Sequence, residues 1–330
     1  MYRSIIKTFR ILFVLSLGLA SCVSNKEQQV SAPLQVIFDS DLGNDIDDLL
    51  ALQMLINYEQ ANKLDIKGIS VSKANPLAML FTKTFYNKYG KGRPEFGYVY
   101  DGPNPDEGNF LRNAYASLAG SADSVEVNDQ ESYVMMRKLL TQSADASMNI
   151  IAVGPMTNLA RLLSSKADSI SPLTGMELVK QKVKRLDFMG GNFSSIHEPE
   201  WNLLQDSTAA RFVLESWPTL MVASGFETGN KVKFHADDVT RGFDQRHPLR
   251  VGYENFLKMP YNRPCWDLIP IVNLVEPTNG FLHESENGFI TFDSACCTRF
   301  TVDDNGRCRF VTLTADGLED LISKRITNKD

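Results

Sequence analysis

Short apolar runs alternate with longer segments of helical periodicity along most of this 330-residue chain. Apolar runs of four to seven residues are typical of buried strands, and longer periodic segments are typical of helices. We therefore expect strands at 34–38, 66–71, 96–100, 150–153, 183–189 and 219–223, and helices at 47–61, 76–89, 156–163 and 206–215. This alternation predicts an α/β fold with an open, mostly parallel twisted sheet flanked by helices, and a ligand crevice at the carboxyl ends of the strands.

The C-terminal part has a different pattern. An apolar run at 289–292 and the runs on either side of 303–306 predict antiparallel strands, with Asn305-Gly306 as a two-residue turn. Residues 317–326 predict a closing helix. We therefore expect a small C-terminal antiparallel hairpin within one domain that spans 34–330.

The first 21 residues have the layout of a secretory signal. Three basic residues and no acid accompany an apolar run at 11–19, which is too short to span about 30 Å of hydrocarbon. The run ends in Leu-Ala-Ser-Cys22, which resembles the lipobox of bacterial lipoproteins and implies cleavage before Cys22 and lipid attachment to it. The polar stretch that follows predicts a flexible tether over 22–33. We therefore expect an exported lipoprotein, periplasmic or at the cell surface, that is anchored in a bacterial membrane through Cys22.

Charge and cysteine content exclude two classes of protein. The formal net charge of −6 argues against a protein that binds nucleic-acid phosphates. The five cysteines form no C-x-x-C pair, which argues against a zinc ribbon. Four of them follow the predicted tether, and we expect these to be buried free thiols, because the expected turn at Asn305-Gly306 does not place Cys297 opposite Cys308.

Five carboxylates lie within residues 39–48, directly after the first predicted strand. Like charges this close raise each other's pKa, so a positive charge is expected among them. A hard divalent cation with oxygen ligands fits this need, and the start of the helix near Asp47 and Asp48 adds a favourable dipole. The segment therefore predicts a metal-binding site at a strand end.

Two other interpretations of this segment can be tested by spacing. An EF-hand loop starting at Asp39 lacks the expected residues at its fifth, sixth and twelfth positions, so it is excluded. The Asp39-x-Asp41 pair also resembles the opening motif of haloacid-dehalogenase-type phosphatases, in which the first aspartate is the nucleophile. Gly43 stands where that motif usually has Thr or Val, and the phosphatase remains an alternative.

Four blocks together resemble the inosine-uridine preferring nucleoside hydrolase family. They are Asp-x-Asp-x-Gly at 39–43 with paired aspartates at 47–48, Gly-Pro-Met-Thr-Asn at 154–158, Met-Gly-Gly at 189–191 with Glu-Trp-Asn at 200–202, and Cys-Trp-Asp at 265–267. The blocks occur in the family's order and cover most of 34–274. The resemblance implies a nucleoside hydrolase fold with a Rossmann-like core and a small-molecule nucleoside or ribosyl substrate.

The resemblance also implies a metal site and a mechanism. One Ca²⁺ would be bound by the side chains of Asp41, Asp48 and Asp267 and by the backbone carbonyl of Val153. A water molecule held by the ion and deprotonated by Asp41 would attack the anomeric carbon directly. The implied catalytic residues are Asp41, Asp47 and Asn202.

The same resemblance assigns substrate contacts. Asp47 and Asn202 would bind the 2′- and 3′-hydroxyls of the ribose, and Glu200 would bind the 5′-hydroxyl. The implied substrate-binding set is Asp47, Asn75, Glu200, Asn202, Trp266 and Asp267. Asn75 precedes Pro76 and is equally suited to cap a helix.

Two departures from the family pattern leave alternatives open. This chain has two extra residues before Asp47, so Asp45 could occupy the position of the ribose-binding aspartate. Trp266 stands where inosine-uridine type enzymes have a histidine linked to activation of the leaving base, and an indole cannot act as a general acid. A sugar-binding lipoprotein without catalytic activity is therefore an alternative function. The leaving group and the oligomeric state stay open, with a homo-oligomer among the options.

Overall fold

The fold is described from a computed structural model, which covers residues 32–119 and 128–329. The predicted signal peptide, Cys22 and most of the predicted tether lie outside the described residues. In chain order, the strands are β1 (Leu34–Ser40), β2 (Leu64–Val71), β3 (Glu95–Tyr98), β4 (Gln130–Glu131), β5 (Met148–Ala152), β6 (Val183–Met189), β7 (Leu220–Ser224), β8 (Lys233–Phe234), β9 (Arg263–Pro264), β10 (Leu282–Glu284), β11 (Gly288–Phe292), β12 (Thr298–Val302) and β13 (Cys308–Leu313).

The helices occupy most of the chain between these strands. They are α1 (Asp47–Gln60), α2 (Pro76–Tyr89), α3 (Leu111–Ala119), α4 (Ser132–Gln142), α5 (Thr157–Ser164), α6 (Gly175–Lys182), α7 (Trp201–Gln205), α8 (Ser207–Ser216), α9 (Phe226–Lys231), α10 (Ala236–Gly242), α11 (Pro248–Phe256), α12 (Leu268–Val275) and α13 (Leu318–Thr327). In the described part of the chain, no helix is both long enough and apolar enough to cross a membrane.

One mixed sheet organises the molecule. Its strand order is β12-β11-β13-β7-β6-β5-β1-β2-β3-β4, with β10 paired to β13, and the seven strands from β1 to β7 pair in parallel. A separate antiparallel pair joins β8 to β9. The predicted α/β class and mostly parallel sheet are confirmed.

The strand order reverses at β1. This strand pairs with β2 on one side and with β5 on the other. In open α/β sheets, ligands bind at such a reversal point, outside the carboxyl ends of the strands. The segment after β1 and the turn after β5 therefore frame the expected crevice.

Local sequence signals explain where the helices beside this crevice begin. Asn75 accepts hydrogen bonds from the N–H groups of Leu77 and Ala78, and Pro76 occupies the first helical position of α2, where no N–H is needed. Helix α1 begins at Asp47 and is buried on nearly all sides, which matches its run of apolar residues. The first residue of each helix lies within two residues of the helix start that the sequence predicted.

The antiparallel hairpin at the C-terminus is formed by different strands from those that the turn signal predicted. β11 pairs with β12, whereas β13 joins the main sheet parallel to β7. In the sheet, β11 lies between β12 and β13. The loop that contains Asn305 and Gly306 therefore passes over the first residue of β11 and does not join two neighbouring strands. A Cβ atom on Gly306 would lie 2.1 Å from the carbonyl oxygen of Gly288, so this crossing requires glycine.

The four cysteines of the described ranges form no disulfide, as the sequence predicted. Cys265, Cys297 and Cys308 are buried, and Cys296 is half-buried. Cys308 starts β13 within the core next to β7.

Candidate active site

A cleft of about 260 Å³ opens at the carboxyl ends of β1 and β5. Eight residues that the sequence assigned to the site line it: Asp41, Asp47, Asp48, Val153, Glu200, Asn202, Trp266 and Asp267. The first and last of these residues are 226 positions apart in the sequence. The sheet and α1 bring their segments together at one edge of the sheet. The remaining lining residues are Asn44, Asp45, Met189, Trp201, Phe226 and Arg263.

Three carboxylates converge at the floor of the cleft. Oxygens of Asp47, Asp48 and Asp267 lie within 4.8 Å of one another, and all three side chains are buried. The backbone N–H of Asp267 donates to Asp47 Oδ2 at 3.2 Å, and Ser40 Oγ donates to Asp48 Oδ1 at 2.6 Å. Burial and then repulsion from neighbouring carboxylates raise the pKa of each of the three well above its ordinary value, and for Asp47 the repelling neighbour is Asp45.

Asp41 lines the same cleft but does not belong to this closest set. Its carboxylate is buried, and Oδ2 has no hydrogen-bond partner among the described residues. Burial raises the pKa of Asp41 to about 7, an effect that the positive charge of Lys73 partly opposes. Lys73 follows β2 and is itself buried, and burial lowers its pKa.

This donor set fits a hard divalent cation. Oxygen ligands of Ca²⁺ lie about 2.3–2.6 Å from the ion, so two of them can be up to about 5 Å apart. The separations among Asp47, Asp48 and Asp267 fall within that limit. Four buried carboxylates, one with an unpaired oxygen, leave negative charge that Lys73 alone does not balance.

The sequence left open whether Asp45 or Asp47 occupies the position of the ribose-binding aspartate. The two residues have different surroundings. Arg263 donates from Nε to Asp45 Oδ1 at 2.8 Å and also binds Oδ2, so both oxygens of Asp45 are taken. Asp47 instead lies with Asp48 at the floor. Asp45 is therefore paired with Arg263, whereas Asp47 lies in the carboxylate set of the cleft.

Two polar residues line the wall contributed by the start of α7. Asn202 donates from Nδ2 to the backbone carbonyl of Val153 at 3.2 Å, so both groups lie at one point of the cleft. Glu200 accepts hydrogen bonds from the N–H groups of Gly191, Asn202 and Leu203 and so caps α7. Burial outweighs these bonds and raises the pKa of Glu200 to about 7.

An aromatic wall faces the carboxylates. The ring of Trp266 stacks on Phe226, with centroids 5.4 Å apart and an interplanar angle of 24°, and Trp266 Nε1 donates to the carbonyl of Phe226 at 3.0 Å. The guanidinium carbon of Arg263 lies 4.9 Å from the Trp266 ring. Phe226 and Trp201 are each 40% exposed, so apolar surface remains available in the cleft.

Two predicted functional residues lie away from the cleft lining. The Asn75 side chain caps α2 and donates to the carbonyl of Pro105, which favours the capping role over ribose binding. Asp39 is buried and accepts a hydrogen bond from Asn158 Nδ2 at 2.8 Å. Asp39 is fully buried and does not line the cleft, which argues against its role as a phosphatase nucleophile.

Sequence reasoning missed Arg263 and Lys73. Lys73 stands just after the carboxyl end of β2, the edge where functional side chains are expected, so the strand-end rule could have found it. No local signal marks Arg263, whose place in the cleft depends on its ion pair with Asp45 and its contact with the Trp266 ring.

The profile of the inosine-uridine preferring nucleoside hydrolase family matches residues 36–293. This chain belongs to that family. Curated proteins similar to this chain include the pyrimidine-specific ribonucleoside hydrolase RihA of Salmonella paratyphi B, which is 30% identical over 118 residues, or 35% of this chain and 34% of the relative. RihA of Citrobacter koseri is 26% identical over 63% of this chain and 65% of the relative. The chain therefore aligns with only a third to two thirds of the length of these relatives.

Solved structures of nucleoside hydrolases share the fold. An inosine-uridine preferring nucleoside hydrolase from Bacillus anthracis superposes with a TM-score of 0.66 at 20% identity, covering 90% of this chain and 100% of the other. A purine-preferring ribonucleoside hydrolase from Gardnerella vaginalis superposes with a TM-score of 0.65 at 15% identity, covering 89% and 98%. At these identities the superpositions establish the architecture.

Proposed function

We propose that this protein hydrolyses the N-glycosidic bond of a ribonucleoside or a related ribosyl compound and that it uses Ca²⁺. The convergence of Asp47, Asp48 and Asp267 with Asp41 in one cleft supports the proposal. Cleavage of a glycosidic bond passes through a positively charged, oxocarbenium-like sugar, which buried carboxylates stabilise. Bound among these residues, Ca²⁺ would supply a Lewis acid that favours ionisation of the attacking water.

Asp41 is the residue best placed to accept the proton of that water. The Oδ2 atom of its buried carboxylate has no hydrogen-bond partner in the described part of the chain, and burial raises the pKa of Asp41 to about 7 when no metal is bound. An unpaired carboxylate oxygen can take the proton of a water molecule beside it. In the step, the bond between water oxygen and C1′ forms, the bond between C1′ and the base nitrogen breaks, and the leaving base keeps that electron pair.

Orientation of the ribose falls to polar residues that line the cleft beside the carboxylate set. Asp47 can accept hydrogen bonds, and the amide of Asn202, held against the Val153 carbonyl, can both donate and accept, which suits a pair of adjacent sugar hydroxyls. Glu200 is held rigidly by three backbone N–H groups and suits the 5′-hydroxyl. Holding the anomeric carbon in place in this way lowers the entropic cost of reaction.

The leaving base would lie along the aromatic wall. Stacking on Phe226 and Trp201 is available, whereas the N–H of Trp266 is already donated to the Phe226 carbonyl. None of the four histidines, all of which lie in the described ranges, lines the cleft. We therefore expect the leaving base to obtain its proton from solvent. The same feature favours a second candidate function, sugar binding without turnover.

The test is hydrolysis of uridine and inosine, followed as free base and reducing sugar. Pyrimidine nucleosides come first, since relatives are described as pyrimidine-specific. We expect turnover that ceases on chelation and falls about 10²–10⁴-fold in Asp41→Asn. Asp304→Asn, an exposed acid in the β12–β13 loop, is the matched control and should retain full activity. Tight ribose binding without turnover of either nucleoside would instead support the sugar-binding function.

We also propose that the protein is exported and anchored by lipid at Cys22. The basic n-region, the short apolar run and the Leu-Ala-Ser-Cys sequence support this proposal. Metabolic labelling with a radioactive fatty acid should mark the full chain and not Cys22→Ser. Equal labelling of both would exclude Cys22 as the site.

A further inference from the structure

A second group of metal-type ligands lies outside the cleft, where two segments meet. His197 belongs to the loop between β6 and α7, and Asp293 and Cys297 belong to the turn between β11 and β12. Ring nitrogen, carboxylate oxygen and Sγ atoms of the three residues all lie within 4.8 Å of one another. His197 Nε2 is 2.9 Å from Asp293 Oδ2.

We propose that His197, Asp293 and Cys297 form a binding site for a transition-metal ion of the Zn²⁺ class. One nitrogen, one oxygen and one sulfur are the ligands that Zn²⁺ accepts, and three protein ligands leave a fourth position for water or another group. Ligand atoms around tetrahedral Zn²⁺ are about 3.5 Å apart, so separations that now reach 4.8 Å would have to shorten by up to about 1.3 Å. The 2.9 Å between His197 Nε2 and Asp293 Oδ2 would have to lengthen slightly. Ca²⁺ prefers oxygen ligands alone and would bind in the cleft instead.

The turn holds Asp293 ready for this role. Its Oδ1 accepts hydrogen bonds from the N–H groups of Ala295 and Cys297, at 2.8 and 3.0 Å, while Oδ2 points towards His197. One oxygen thus fixes the carboxylate, and the other contacts His197 Nε2, a contact that a metal ion between the two atoms would replace. The Cys297 side chain is buried and the His197 side chain is 44% exposed, so the group lies at the boundary between the interior and solvent. Binding releases the thiol proton to solvent and leaves a metal–thiolate bond.

The position of this group links it to the candidate active site. The His197 loop leads from Gly191 to Glu200 and so carries one wall of the cleft. At its start, the loop is tied to the hairpin by two hydrogen bonds between Asn192 and Thr298. A metal ion between His197 and the β11–β12 turn would add a second tie near the end of the loop. We infer that it would restrict the motion of this wall.

Co²⁺ titration of the Ca²⁺-saturated protein tests the site directly, because a cobalt–thiolate bond gives a charge-transfer absorption band that a cleft of oxygens does not. We expect one Co²⁺ per chain with this band, displaced by Zn²⁺. The band should disappear in Cys297→Ser, and the apparent affinity should fall at least tenfold in His197→Ala. The His197 side chain is 44% exposed, so we expect this variant to fold normally. Cys296→Ser, the neighbouring thiol, is the matched control and should keep the band.

Three results would overturn the proposal: no thiolate band at saturating Co²⁺, a band that persists in Cys297→Ser, or a band lost in Cys296→Ser instead. Hydrogen exchange gives a second measurement that needs no substitution. Zn²⁺ should slow exchange of backbone amides in residues 193–199 in the wild-type protein and not in His197→Ala. Neither measurement depends on nucleoside hydrolysis, so the proposed activity and the metal site can fail independently.

Discussion

Arg263 and Asp45 form a two-point ion pair at the mouth of the cleft, although they are 218 residues apart in the sequence. The pair joins the segment after β1 to the segment before α12. It also removes Asp45 from competition with Asp47, because both of its oxygens face the guanidinium. Arg263 thereby acts on the site through Asp45 and through its contact with the Trp266 ring.

Replacing Arg263 with Met should destabilise the protein. The two side chains are 18% and 21% exposed, so an unpaired Asp45 remains partly hydrated, and we expect a loss of about 1–3 kcal/mol in the free energy of unfolding. Urea unfolding measures this. Arg263→Met combined with Asp45→Asn should recover much of the loss, and a double variant no more stable than Arg263→Met would contradict the pairing.

Asp48→Asn should abolish stabilisation by Ca²⁺. Under the proposed function, Ca²⁺ at about 100 times its Kd raises the free energy of unfolding by about 2.7 kcal/mol. Asp48 belongs to the buried carboxylate set, so the neutral asparagine should remove this gain in the free energy of unfolding. Thermal unfolding with and without Ca²⁺ reports it, and Asp304→Asn should behave like wild type. An equal Ca²⁺ shift in Asp48→Asn would exclude this residue as a ligand.

The metal-free protein should lose stability as the pH rises from about 4 to about 7. Burial raises the pKa of Asp39, Asp41 and Glu200 to about 7 in the folded state, so the folded state keeps protons that the unfolded state has already released. Stability therefore falls with pH across this interval, by up to about 1.4 kcal/mol per pH unit for each group. Urea unfolding in chelator at several pH values measures the slope, and rising stability would contradict it. With Ca²⁺ present, the free energy of unfolding should fall less steeply as the pH rises.

Phe226→Ala should weaken nucleoside binding without affecting Ca²⁺ binding. Stacking of a base on an aromatic ring contributes about 1–3 kcal/mol, so KM for uridine should rise about 5- to 150-fold. Phe289 is 42% exposed, compared with 40% for Phe226, and lies on β11 outside the cleft, so Phe289→Ala is a matched control. Steady-state kinetics would exclude the stacking role if both variants gave the wild-type KM.

Local signals in the sequence were sufficient for the elements that surround the site. The pairing of Asn75 with Pro76 marks the start of α2, and the acids at 47–48 mark the start of α1, because caps and helix dipoles act over a single turn. The strand-end position of residues 39–41 then predicted the location of the cleft, since a parallel sheet brings its carboxyl ends to one edge.

Contacts between distant segments could not be predicted in the same way. Asn305-Gly306 is a strong turn signal, yet β13 pairs with β7 because this position buries Val311 in the core and lets Gly306 cross Gly288. The ion pair between Arg263 and Asp45 likewise joins distant segments, and sequence periodicity does not predict which distant side chains meet.

Asn158, in the Gly-Pro-Met-Thr-Asn block, should prove structural. Its Nδ2 donates to Asp39 Oδ1 at 2.8 Å and to Ser70 Oγ at 3.0 Å, and so ties α5 to two parallel strands inside the protein. Asn158→Leu keeps a similar volume but leaves both acceptors without this donor, which should cost about 1–3 kcal/mol.

The pH dependence of this loss separates the hydrogen bond from packing. The bond from Asn158 favours ionised Asp39, so removing it raises the Asp39 pKa further above about 7. The variant should therefore lose more stability at pH 8, where ionised Asp39 is most abundant, than at pH 5, where it is protonated in both proteins. Urea unfolding at the two pH values measures the difference, with exposed Asn305→Ala as the control. A loss equal at both values would mean that Asn158 contributes through packing alone.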